Sequence, residues 1–101
     1  MAEDNLKWLI DWYARHCDGE WEHGYGVNIK TLDNPGWRLT IDLTGTELEN
    51  VPFDEIRHNY DDDTSWWICS LGDKAFQGAC GARDLPSVIG VFRAWAESKV
   101  G

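Results

Sequence analysis

The order of hydrophobic and polar residues predicts a helix near each end of the chain. In residues 4–17, DNLKWLIDWYARHC, apolar side chains recur at the helical period, and Trp8 and Trp12 widen the apolar stripe. The face that we expect to be buried comprises Leu6, Leu9, Ile10 and Tyr13. In the second helix, DLPSVIGVFRAWAESK, Asp84 is placed to cap the N-terminus. The face of this helix predicted to pack on a sheet comprises Leu85, Val88, Ile89, Phe92 and Trp95.

Between the helices the pattern alternates with a period of two, which is typical of strands with one buried face. Residues 37–43 alternate most clearly, and residues 25–31 alternate in the same way, with Tyr25, Val27 and Ile29 on one side. An Asn-Pro-Gly turn joins these two strands. Residues 65–71 and 74–79 form a second predicted hairpin around Gly72-Asp73. Residues 47–60 are less regular, and we assign them an irregular strand with Phe53 and Ile56 buried.

These elements predict an α+β fold. It has an N-terminal helix, an antiparallel meander of about four to six strands, and a C-terminal helix packed on the sheet. The length of 101 residues matches one domain, and no repeat, interdomain linker or βαβ unit is evident. We therefore predict that residues 1–101 form a single domain.

The composition is acidic and rich in tryptophan. There are 18 acidic and 9 basic residues, a formal net charge of −9, and seven tryptophans. This charge argues against nucleic acid as a partner, because phosphate contacts require a basic surface. It favours a soluble protein that attracts a basic partner at long range.

The cysteines and the apolar runs bear on the compartment. Three cysteines occur without a CxxC pair, so neither a disulfide framework nor a zinc finger is expected. The N-terminus lacks the pattern of a signal peptide, and no apolar run approaches the ~20 residues that span a bilayer. We therefore expect a cytoplasmic protein with reduced thiols and no membrane partner.

The stretch from residue 17 to residue 37, CDGEWEHGYGVNIKTLDNPGW, concentrates carboxylates, a histidine and aromatic side chains. Carboxylates and imidazoles bind divalent cations, but the spacing matches neither an EF-hand loop nor an HExxH helix. In a structural interpretation, Asp18 and His23 satisfy backbone groups while Trp21 packs. In a functional interpretation, Trp21 and its flanking carboxylates form an exposed recognition surface for a protein.

A second run of acidic residues precedes Trp66 and repeats this combination of aromatic and acidic side chains. The residues that we predict to bind a partner are Asp18, Glu20, Trp21, Glu22, Asp61, Asp62, Asp63 and Trp66. We assign no catalytic residue, no metal ligand and no cofactor. A small-ligand or metal-binding module at residues 18–23 remains an alternative.

Cys80 offers an enzymatic alternative. It lies just before the second helix with Arg83 nearby, where a thiol can have a lowered pKa and act as a nucleophile. A small thiol-dependent enzyme of the sulfurtransferase type would use such a group. However, the preceding hairpin differs from the parallel strand and crossover that usually lead into such loops, which favours a structural role in a tight turn.

Beyond these patterns, the segment WLIDWYARHCDGEWEHGYGVNIKTLDNPGWRLTIDLTGTEL resembles the immunity protein 53 family of polymorphic-toxin systems. The resemblance continues through residues 66–69, 76–78 and the DLPSVIGVFRAW helix, so it covers most of the chain. Its most specific parts are CDGEWEHGYG and TLDNPGW. Cys80 departs from the small or glycine-rich turn that is more usual there. Relatives are sometimes labelled rhodanese-related, although this sequence lacks a sulfurtransferase pattern.

The resemblance implies a non-enzymatic antidote that binds and neutralises a cognate toxin of a bacterial competition system. It supplies no active site to carry over. Separately, the acidic charge favours a basic toxin domain such as a nuclease, whose substrate-binding cleft an acidic protein can occupy. The oligomeric state stays open.

Overall fold

The computed structural model describes the backbone of residues 2–59 and 65–100 and the side chains of residues 5–59 and 65–98. The elements in chain order are α1 (Ala2–His16), α2 (Trp21–Gly24), β1 (Val27–Leu32), β2 (Gly36–Asp42), β3 (Ile56–His58), β4 (Trp67–Gly72), β5 (Ala75–Cys80) and α3 (Leu85–Val100). The predicted α+β fold is confirmed, since a helix lies at each end and α3 packs on a five-stranded antiparallel sheet. No helix in these described ranges is long and apolar enough to cross a membrane.

The strands lie in the order β1-β2-β5-β4-β3, and all neighbours are antiparallel. Both predicted hairpins form, β1 with β2 and β4 with β5. The two hairpins meet at the pairing of β2 with β5, so the chain after β2 crosses to the far edge before β3 begins. The sheet therefore departs from a simple meander in its strand order, and β1 and β3 are its two edges.

The core lies between one face of the sheet and the two long helices. Leu39 and Ile41 of β2 and Phe76 of β5 are fully buried on this face. The ring of Phe92 in α3 lies 5.1 Å from that of Phe76 and 5.2 Å from that of Trp12 in α1, both edge to face. Such aromatic pairs add to the stabilisation from buried apolar area. Phe92 thus connects the sheet, α3 and α1.

The buried face of α1 differs from the predicted one. Trp12 is 1% exposed and packs on Phe92, whereas Leu6, Ile10 and Tyr13 are 45%, 55% and 36% exposed. The prediction was wrong for these three residues. Burying the large tryptophan ring removes more apolar surface from water than burying leucine or isoleucine, so Trp12 decides which side of α1 faces the core.

The two edge strands are also less covered than predicted. Ile29 in β1 is 39% exposed and Ile56 in β3 is 37% exposed. Both point to the face that carries the helices, because they pair with Leu39 and Cys69, which are buried there. The helices cover the central strands and leave both edges open, so the prediction that these isoleucines are buried was wrong.

The turn between β4 and β5 lies one residue later than predicted. Its central residues are Asp73 and Lys74, with φ of 54° and 60°. Positive φ at both central residues is typical of the tight turns that match the twist of a hairpin.

Candidate functional site

The loop between α1 and β1 is held together by its own carboxylates. Oδ1 of Asp18 accepts hydrogen bonds from the backbone N–H groups of Glu20 and Trp21, both at 3.0 Å. The carboxylate of Glu22 accepts from the N–H groups of Asp18 at 3.0 Å and Gly19 at 2.9 Å. Gly19 has a φ of 96°, a conformation that glycine adopts without steric cost. Asp18 and Glu22 therefore organise this loop.

These hydrogen bonds also favour the ionised form of the two carboxyl groups. Bonds from the backbone N–H groups of Trp21 and then Glu20 lower the pKa of Asp18. Backbone N–H groups, chiefly its own, lower the pKa of Glu22. Glu20 is exposed, and its carboxylate has no partner among the residues that the structure describes. Of these three carboxylates, those of Asp18 and Glu22 bond the backbone of the loop, and that of Glu20 is exposed.

The side chain of Trp21 is buried under this loop. Its side chain is 8% exposed, and its Nε1 donates a hydrogen bond of 2.8 Å to the carbonyl oxygen of Thr44. Its ring centroid lies 6.3 Å from Trp12, 5.9 Å from Tyr13 and 6.3 Å from Tyr25. Trp21 is thus placed to hold neighbouring side chains in position, and its own ring is not presented to solvent.

A second acidic segment, in the connection between β2 and β3, also packs against Trp21 and the end of α1. The carboxylate of Glu47 accepts a hydrogen bond of 3.3 Å from Nε1 of Trp12 and lies 2.8 Å from Nε2 of His16. The other ring nitrogen of His16 lies 2.7 Å from the carbonyl oxygen of Trp12. The ring of His16 lies 5.7 Å from that of Trp21. These hydrogen bonds attach the Glu47 side chain to the C-terminal end of α1.

Glu49 completes this cluster. It accepts a hydrogen bond of 3.3 Å from the backbone N–H of Gly45 and lies 3.7 Å from Nζ of Lys74. A Cβ atom added to Gly45 would lie 3.3 Å from the Trp21 ring, so this loop packs directly on Trp21. We call the resulting surface the acidic end, and it comprises Asp18, Glu20, Glu22, Glu47 and Glu49.

Glu47 is expected to contribute to acid sensitivity. Burial raises its pKa, but hydrogen bonds from His16 and Trp12 outweigh burial and hold the pKa below the ordinary value of 4.5. A carboxyl with a depressed pKa in the folded state stabilises the fold above its unfolded pKa, and this contribution disappears as the pH falls through the folded-state pKa.

The variant Glu47→Gln keeps the shape and removes the charge. The wild type should therefore have the higher Tm at about pH 6, and the difference should shrink towards about pH 3. Thermal unfolding of the wild type and of Glu47→Gln between about pH 3 and about pH 6 measures this difference in Tm. A difference in Tm that does not change with pH would contradict this account.

The structure separates the two predicted contact regions. Trp66 is half-buried, and its backbone N–H donates a hydrogen bond of 2.9 Å to the carboxylate of Asp84. Trp66 precedes the end of the sheet where β4 pairs with Cys80, whereas the acidic end lies beyond Asp42, at the opposite end of β2. The predicted contacts Asp61, Asp62 and Asp63 lie outside the described residues.

Asp84 has a different role from the predicted one. Besides the backbone of Trp66, its carboxylate accepts a hydrogen bond of 3.3 Å from Oγ of Ser65. The side chain therefore joins the start of β4 to the start of α3. Asp84 does not cap the helix through its side chain, because both carboxylate oxygens are directed to this neighbouring segment.

Cys80 has the features of a structural cysteine. Its side chain is buried, and this burial, together with the negative charge of Asp84, raises the pKa of the thiol to about 11. An activated thiol needs access to substrate and a lowered pKa. The geometry therefore argues against the enzymatic alternative. Within residues 5–59 and 65–98, no group of three or more His, Cys, Asp or Glu side chains is arranged to hold a metal ion.

Sequence reasoning missed Glu47 and Glu49 as parts of this site. They lie in a segment without clear periodicity, far along the chain from residues 18–22. No local spacing connects the two segments, and only the packing of residues 44–49 on Trp21 brings them together.

Comparison with known families identifies the chain. The model of a family described as Immunity protein 53 matches residues 6–97. No curated protein and no solved structure shows significant similarity to the chain. Proteins of this family neutralise toxins, their partner is a protein toxin, and they are generally non-enzymatic. Since the match covers nearly the whole chain, including the entire acidic end, this protein belongs to the immunity protein 53 family.

Proposed function

We propose that this protein neutralises its toxin by binding a basic surface of the toxin through the acidic end. The observation that carries the proposal is the convergence of two separate acidic segments on Trp21. Five carboxylates lie there. Among the described contacts, Glu49 lies near the ammonium group of Lys74 and Glu47 lies near the imidazole of His16. Such a surface is complementary to a cluster of lysine and arginine side chains.

The mechanism is electrostatic steering followed by occlusion. A chain with a net charge of −9 attracts a basic partner over roughly a Debye length, about 8 Å at physiological salt. A nuclease toxin fits this chemistry, because its cleft must be basic to bind phosphate groups. An acidic protein seated at that cleft excludes the substrate both sterically and by charge.

We also propose that the protein acts in the cytoplasm. All three cysteines are free, which suits a reducing compartment.

The direct test of neutralisation is co-expression with the toxin encoded by the neighbouring gene. The protein should restore growth and co-purify with the toxin domain. If growth is not restored and the two proteins do not associate, the proposed function is wrong.

Charge reversal at Glu20 tests the proposed surface. Glu20→Lys should slow association with the purified toxin domain by about 3–10-fold at low salt, with a smaller effect at high salt. Glu20 is suited to this test because its carboxylate has no partner within the described structure. Glu22→Lys would instead remove the acceptor for two backbone N–H groups of the loop. Stopped-flow association at two ionic strengths measures the effect.

The matched control is Asp33→Lys. Asp33 is exposed in the β1–β2 turn, at the end of the hairpin away from the acidic end, and its reversal changes the net charge equally. Association should be slowed much less by this variant. Equal slowing by both variants would mean that only the overall charge matters, and it would remove the acidic end from the interface.

A further inference from the structure

Most of the exposed apolar side chains belong to the N-terminal third of the chain. Among the described residues, seven large apolar side chains are exposed. Two of them, Ile56 and Leu71, lie in β3 and β4 towards one edge of the sheet. The other five belong to α1, the segment before β1, and β1 itself, and they are Leu6, Ile10, Tyr13, Tyr25 and Ile29. We call these five residues the apolar strip.

α1 meets the segment before β1 at Tyr13, which joins the two parts of the strip. Leu6, Ile10 and Tyr13 recur at the spacing that places side chains on one face of a helix. The ring of Tyr13 lies beside Gly26, the residue before β1, since a Cβ added to Gly26 would lie 3.6 Å from its Cε1 atom. Ile29 then extends the strip along the edge strand, on the face of the sheet that carries the helices.

The two tyrosines of the strip pack against the buried ring of Trp21. The rings of Tyr13 and Tyr25 lie 5.9 Å and 6.3 Å from Trp21, and the ring of Tyr25 is stacked on it. The backbone N–H of Tyr25 donates a hydrogen bond of 2.9 Å to the carbonyl oxygen of Trp21. Side chains already ordered in the free protein lose less entropy on binding, and tyrosine is common among the residues that dominate interfaces.

The strip borders the acidic end directly. Tyr13 lies in the last two turns of α1, and its ring lies 5.9 Å from that of Trp21, which belongs to the loop of residues 18–22. A hydrogen bond with Cys17 is the main cause that raises the pKa of Tyr13, and the carboxylate of Glu22 adds to it, so this charge acts on the ring hydroxyl. An apolar centre beside a charged rim is the usual anatomy of a protein-binding surface.

We infer that the apolar strip is the docking surface for the toxin, and that it receives an apolar side chain that the toxin presents between lysine or arginine residues. This inference rests on the proposed function and adds the contact that holds the complex after electrostatic encounter. Charge complementarity selects this occupant. A second copy of the chain would bring another net charge of −9 and a second set of carboxylates against the first.

Two substitutions in the strip test the inference. Ile29→Thr and Ile10→Asn should each speed dissociation of the complex with the purified toxin domain by about tenfold, with association nearly unchanged. The matched control is Ile56→Thr. It makes the same change in the opposite edge strand at almost equal exposure, 37% against 39% for Ile29. Surface plasmon resonance gives the rates, and equal Tm values for the two threonine variants show that both fold alike.

The outcomes separate the inference from the proposed function. Faster dissociation for both strip variants, with Ile56→Thr unchanged, supports the inference. If the strip variants dissociate like the wild type while Glu20→Lys still slows association, the inference is overturned and the proposed function stands. Absence of wild-type binding overturns the proposed function and the assigned occupant together. If sedimentation shows a wild-type dimer that Ile10→Asn abolishes, the occupant is a second copy, which also overturns the inference.

Discussion

Replacing Trp12 with alanine is expected to lower the free energy of unfolding by about 3–5 kcal/mol. The ring is almost fully buried and makes edge-to-face contacts with Phe92 at 5.2 Å and Trp21 at 6.3 Å. Its Nε1 also donates to the carboxylate of Glu47. The substitution leaves a cavity where α1, α3 and the acidic end meet, and a cavity in a packed core adds to the loss of buried apolar surface.

Urea unfolding followed by circular dichroism measures this loss. Ile10→Ala in the same helix is the control, because its side chain is 55% exposed, and a change within about 0.5 kcal/mol is expected. If the two substitutions cost the same, Trp12 does not connect the core in the way described. Replacing Trp12 with alanine should also weaken toxin binding, since the Trp12 ring contacts both Trp21 and Glu47.

Replacing Gly36 with alanine is the second change expected to be strongly destabilising, by about 1–3 kcal/mol or more. An added Cβ would overlap the carbonyl oxygen of Cys80. That obstacle is backbone and cannot rotate away, so β2 and β5 must separate where Trp37 pairs with Cys80. This pairing joins the two hairpins, and the strain therefore acts on the centre of the sheet.

The matched control is Gly24→Ala at the end of α2. A Cβ added there meets no atom within 4 Å. Alanine is also the better helix former by up to ~1 kcal/mol, so Tm should stay the same or rise slightly. Thermal unfolding of the two variants measures the contrast. Similar Tm values for both would show that the sheet tolerates movement at Gly36.

Two tryptophans, Trp12 and Trp21, lie beneath the acidic end. Both belong to the buried core, and their rings lie 6.3 Å apart. Through Thr44, Trp21 fixes the segment that carries Glu47 and Glu49. The proposed recognition surface therefore rests on buried side chains, and a surface held in place before binding loses less entropy when a partner binds.

The local patterns of the sequence were sufficient to predict the main helices and strands and the fold class. The alternating residues 37–43 became the interior strand β2, and the two hairpins formed at their predicted turns within one residue. The resemblance based on CDGEWEHGYG and TLDNPGW is confirmed by the family match over residues 6–97. The structural interpretation of Asp18 also holds, since its partners lie two and three residues away.

The predictions that failed concern the orientation of elements relative to one another. Periodicity gave α1 a broad apolar stripe that included both Ile10 and Trp12, without showing which part would face α3. The same alternation in β1 and β2 did not show that β1 is an edge strand, so Ile29 was expected to be buried. Burial of a side chain depends on which neighbours cover it.

The sequence by itself therefore determined the helices, the strands, the acidic character and the family, because each depends on residues close together in the chain or on their overall composition. Only the tertiary structure decided that Glu47 joins His16, 31 residues away, and that Trp66 is separated from the acidic end. It also decided that the apolar strip is left uncovered. These outcomes depend on the order of the strands and on which side of α1 best buries its tryptophan, and both are set by packing between distant segments.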